Sequence, residues 1–118
     1  MSVVFNENNY NFTDSIIIKI EMDTNLCDFL VTVDYFQGKN ESKNLTIRLK
    51  NVQKFIYHRE NIEMVNDKFT PITISNISKK ITKNYVQINI ESILSYLPGH
   101  EDDEPLIICN CENIFIEE

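Results

Sequence analysis

Four carboxylates in succession, Glu101-Asp102-Asp103-Glu104, form the densest charge in the chain. Held side by side they repel one another, so they must be solvated or neutralised, and a basic groove on a partner protein would neutralise all four at once, imitating phosphates. Tyr96 and His100 flank the run as candidate contact anchors, because aromatic residues are over-represented among interface hot spots. An ordinary solvated loop is the plain alternative. A divalent-cation loop is the other, but such loops interleave their ligands with turn residues such as Gly and Asn, and this run does not.

The remaining chemistry-bearing residues do not assemble into a motif. Cys109 and Cys111 fall on one side of an extended chain, and His58 or His100 would have to complete a zinc site. Common zinc fingers separate paired cysteines by two residues or more, and no second pair is present, so buried inert thiols are expected and no metal or cofactor is assigned. His58-Arg59-Glu60 supplies a base, a cation and a carboxylate together, yet neighbours on an extended chain point to opposite sides. No Gly-x-Ser-x-Gly, His-Glu-x-x-His or phosphate-cradling glycine loop occurs, since Gly38 and Gly99 are the only glycines. A binding protein is expected, and not an enzyme.

Charge narrows the partner. The formal net charge of −7 opposes the counterion release that drives binding to phosphate backbones, so direct nucleic-acid binding is not expected. Lys79, Lys80 and Lys83 make one basic patch, read as a solvated face. An acidic domain associates faster with a basic protein. No run approaches the ~18 to 20 apolar residues of a membrane helix. The odd count of three cysteines and an N-terminus without a signal-peptide pattern lead to the expectation of a cytoplasmic protein with free thiols.

The elements that must position these residues are mostly strands. At 118 residues the chain fits a single domain, 1–118. Alanine is absent and isoleucine is the commonest residue, which favours sheet, although AT-rich codons would supply part of that bias. Cys27, Phe29, Val31, Val33 and Tyr35 alternate with Asp28, Thr32 and Asp34, the period of a half-buried strand. After a polar loop from Gln37 to Lys43 the alternation returns at Leu45, Ile47 and Leu49, making a long antiparallel pair. Ahead of it, Ile16, Ile18, Ile20 and Met22 alternate with Ile17, Lys19 and Glu21; Ile17 breaks the pattern, and a second covered face or an exposed patch would account for it.

Further on, a β-bulge is expected at Asn51, an edge strand at Ile72-Thr73-Ile74-Ser75 after Pro71, and one helical turn joining Ile77 to Ile81. Strands follow at 85–91, 106–108 and 114–116, with Cys27 assigned to the core. A short helix is expected at 92–97 behind a Ser92 cap, and Ile62 and Val65 are spaced for another. The fold class is mainly β, an antiparallel meander forming a sandwich or partly closed barrel with one or two short helices. The alternative is α+β, one antiparallel sheet covered by a helix.

Phe12-Thr13-Asp14-Ser15 ahead of an isoleucine strand, followed by Leu45-Thr46-Ile47-Arg48-Leu49-Lys50-Asn51-Val52 leading towards Phe55, resembles small acidic β-rich bacterial immunity proteins of contact-dependent and polymorphic toxin systems. The resemblance covers roughly the first half of the chain and is one of pattern and size. It implies a cytosolic inhibitor that binds a cognate toxin domain, commonly a nuclease. The candidate contacts rest on charge and exposure: the carboxylates at 101–104 first, then Asp28 and Asp34, expected to be exposed on the central strand. The alternative function is a structural or regulatory subunit that self-associates through a sheet edge, as a homodimer.

Overall fold

The computed structural model describes residues 2–38, 41–58, 64–65, 68–69, 72–92 and 105–118. Within them the chain is all β: β1 (Ser2–Val4), β2 (Ile16–Asp23), β3 (Asp28–Gly38), β4 (Glu41–Lys50), β5 (Lys54–Tyr57), β6 (Met64–Val65), β7 (Lys68–Phe69), β8 (Ile72–Ile81), β9 (Val86–Ser92), β10 (Ile107–Cys111) and β11 (Asn113–Glu117). Nine strands form one antiparallel sheet in the order β1-β11-β4-β3-β2-β8-β9-β10-β5, and β6 pairs only with β7. The sheet does not close. It is the expected mainly-β antiparallel meander, ended by β1 on one side and β5 on the other.

The expected central pair is the longest ladder. Phe29 faces Leu49, Val31 faces Ile47 and Val33 faces Leu45, and those valines, leucines and Ile47 are fully buried. The period-2 pattern therefore does what the pleat demands, placing one aliphatic row inward. The polar stretch after it is shorter as a loop than expected, because pairing continues through Phe36↔Ser42 and Gly38↔Glu41. Gly38 takes φ +85° there, a conformation that glycine adopts without Cβ strain.

The sheet bends back so that both halves share one core, in which Val31, Ile47 and Leu49 meet Ile74, Ile88, Ile90, Cys109 and Ile114. The bend lies in β8. Among the described residues its start pairs with β2 at Ile16↔Thr73 and Ile17↔Ile72, and it pairs with β9 from Ile74↔Ser92 onward, with a register shift between Ile74 and Asn76. The extra residue, Ser75, has its hydroxyl satisfied by the Glu91 carbonyl at 3.1 Å, as a bulge in a buried corner requires.

Several local expectations are corrected. Residues 72–75 are not an edge strand: β8 is interior, with β2 and β9 on its two sides. Ile77 and Ile81 belong to that strand and not to a helical turn, because the β9 ladder supplies a partner at every second residue. Cys27 is exposed and precedes β3 in a turn at φ +58°, so the buried alternation begins after it. Asn51 is a left-handed exit from β4 at φ +51°, where the chain crosses from one half of the sheet to the other. Ser92 is the buried last residue of β9; residues 93–97 of the expected helix lie outside the described residues. Of the other helical candidate, Met64 and Val65 form strand β6.

Candidate functional site

The first-ranked contact residues, Glu101, Asp102, Asp103 and Glu104, lie outside the described residues, as do Tyr96 and His100. Asp28 and Asp34 are described, and neither is the exposed carboxylate that was expected. Asp28 is only 4% exposed. One of its oxygens, Oδ2, accepts a hydrogen bond from Arg48 Nη1 at 2.9 Å; the other, Oδ1, accepts the Asn51 N–H, also at 2.9 Å. It stands at the first position of β3, where the Asn51 crossover folds over it, so the loop shields a residue that alternation places on the solvent side. Asp34 is half-buried, set between Ile16 of β2 and Asn44 of β4.

Arg48 joins three strands on the outer face. Besides Asp28 it donates from Nε to Glu117 Oε2 at 3.0 Å, and the two carboxylates hold its guanidinium above the ordinary arginine value. Lys43 pairs with Glu118 and Lys19 with Glu21. Lys79 is tied down too: its ammonium donates to the Phe5 carbonyl at 2.9 Å and its backbone N–H to Glu7. The basic patch thus loses a member to the anchoring of the N-terminal segment, while Lys80 and Lys83 remain exposed.

Cys109 and Cys111 do share one face of β10, and both are fully buried. Cys111 Sγ donates to the Val86 and Asn113 carbonyls, and the neighbouring Cys111 thiol together with burial holds the Cys109 thiol above its ordinary value. Among the described residues no group of three or more His, Cys, Asp or Glu side chains is placed to hold a metal ion. Of the His58-Arg59-Glu60 triplet only His58 is described; its backbone N–H donates to the Leu106 carbonyl at 2.9 Å. Also among the described residues, no helix is long and apolar enough to cross a membrane.

The Phe12-Thr13-Asp14-Ser15 stretch is a structural corner. Asp14 takes φ +70°, the Ser15 N–H closes the turn on the Phe12 carbonyl at 3.0 Å, and the buried Ser15 hydroxyl accepts the Phe36 N–H at 3.1 Å. Thr13 Oγ1 donates to the Ser75 carbonyl at 3.1 Å. These bonds dock the corner on β3 and β8.

A surface that alternation did not reveal lies along β2 beyond its described pairing with β8. A bulge between Ile17 and Lys19 brings Ile17 into the core and leaves Ile18 52% exposed and Met22 60% exposed. Beside this stretch of β2 lies a cleft of about 320 Å³ lined by Ile17, Ile18, Ile20, Phe55, Tyr57 and Ile72. Phe55 in its lining stacks on Phe29, with ring centroids 4.0 Å apart and planes within 2°. Ile17, the residue that broke the strand's pattern, was the one sequence signal of this place.

No protein-family model, curated protein or solved structure matches the chain.

Proposed function

We propose that the chain is a protein-binding inhibitor, an immunity protein of a bacterial toxin system that holds a basic cognate toxin domain against its acidic surface in the cytoplasm. The observation that carries this reading is charge. The formal net charge is −7, and the cations of Lys19, Lys43 and Arg48 are already taken up by carboxylates of the same chain. The surplus carboxylates, the run at 101–104 foremost, steer and orient a basic partner. The inhibitor works by occupying a surface and carries out no chemistry itself.

Size-exclusion chromatography with light scattering tests it, using the protein alone and mixed with an inactivated product of the neighbouring gene. A tight one-to-one complex is expected. Reversing charge at Asp102 and Asp103 then slows association at low salt; unchanged kinetics would remove that run from the interface.

A second reading, a structural or regulatory subunit that pairs with itself through a sheet edge, is favoured by the open sheet, whose margins β1 and β5 have one strand neighbour each among the described residues and offer templates for another strand. It expects a stable dimer without any toxin.

A further inference from the structure

Sheet margins are the obvious edges of an open sheet, but β2 has a more specific one in its interior. Among the described residues, 18–23 pair with β3 alone, so no described strand takes up the main-chain donors and acceptors on the other side of this stretch, to which an extended strand is complementary. The sequence there is Ile18-Lys19-Ile20-Glu21-Met22. Read backwards, it keeps its character: apolar, charged, isoleucine, oppositely charged, apolar.

We infer that β2 pairs with the β2 of a second copy, antiparallel about a two-fold axis at Ile20. The register follows from the sequence. Ile20 faces its own copy, Ile18 faces Met22 of the second copy, and Lys19 faces Glu21 of the second copy, each pair repeated by the symmetry. The two most exposed apolar side chains of the strand cover each other beside the cleft, where Tyr57 is also 38% exposed. Lys19 and Glu21, 3.1 Å apart within one chain, extend into a ladder of four alternating charges, an arrangement that stabilises cross-strand pairs. Any other register of one residue places Lys19 or Glu21 opposite an apolar residue. The net charges of the two copies repel, but at physiological salt the Debye length is about 8 Å, so the overall repulsion is screened more than directly facing neighbours are.

This inference deepens the self-associating reading and rests on it. The test is sedimentation velocity on the full chain, from micromolar to near-millimolar concentration, with four samples: wild type, Lys19→Glu, Glu21→Lys and the double swap. Both side chains are more than half exposed, and circular dichroism checks that each variant folds. The wild type dimerises. Each single variant sets like charges opposite each other twice and weakens the dimer about tenfold. The double swap restores it, and an equimolar mixture of the two single variants forms the heterodimer. A wild type that stays monomeric throughout overturns self-association altogether, with the cleft then covered by the chain itself or left to another protein. A dimer that all variants form equally well keeps self-association and removes the β2 edge from it.

Discussion

Asp28 and Arg48, twenty residues apart, are joined by a hydrogen-bonded ion pair of 2.9 Å that ties the beginning of β3 to the outer face of β4. Through its second oxygen the same carboxylate holds the left-handed Asn51 amide. One buried side chain thereby fixes both the central ladder and the point where the chain passes to the other half of the sheet.

Asp28→Ala should destabilise the protein by about 2–4 kcal/mol, since it orphans a buried amide and removes one of two counter-charges from a half-buried guanidinium. Glu117→Gln should cost under ~1 kcal/mol, its carboxylate being more exposed. Urea titrations of both variants check the contrast; equal losses would show that burial of Asp28 is not what matters.

Phe55→Ala should cost about 2–4 kcal/mol, somewhat below the ~3–5 kcal/mol of a fully buried aromatic because Phe55 is half-buried. The stack on Phe29 is β5's hold on the opposite half of the sheet, so amide exchange should rise most in residues 54–57. Uniform acceleration along all strands would contradict that local role.

Cys27→Gly should stabilise the fold by about 0.5–1 kcal/mol, because a non-glycine residue at positive φ carries Cβ strain that exceeds the added chain entropy of glycine. Thermal denaturation reads the gain. A disulfide reagent should label Cys27 quickly in the native protein and reach Cys109 and Cys111 only on unfolding, as their burial dictates. Fast native labelling of all three would be inconsistent with the core described here.

Alkaline pH should weaken the fold through Cys109. Its folded pKa lies above the unfolded one, so its contribution is complete below the ordinary thiol value near 8.5 and is lost as pH rises beyond it, towards the raised folded value. Stability should fall above about pH 9 at up to ~1.4 kcal/mol per pH unit for this group, and Cys109→Val, similar in volume, should flatten that slope. An unchanged slope would assign the loss to other groups.

The alternation of aliphatic and polar residues by itself determined that the chain is β, which residues of β3, β4 and β9 point inward, and that Cys109 and Cys111 are buried together. That information is local, because the pleat converts spacing directly into facing. The tertiary structure alone decided the rest. Alternation says which side of a strand Asp28 occupies, but only the Asn51 crossover turns that side into a buried one. The period of 72–81 was hidden by residues with helical spacing, and it took ladders to β2 and β9 on both sides to hold them extended. Ile17 announced a fault in β2; that the fault is a bulge which brings Ile17 into the core and leaves Ile18 exposed beside an apolar cleft depends on contacts with strands far away in sequence, which no local pattern encodes.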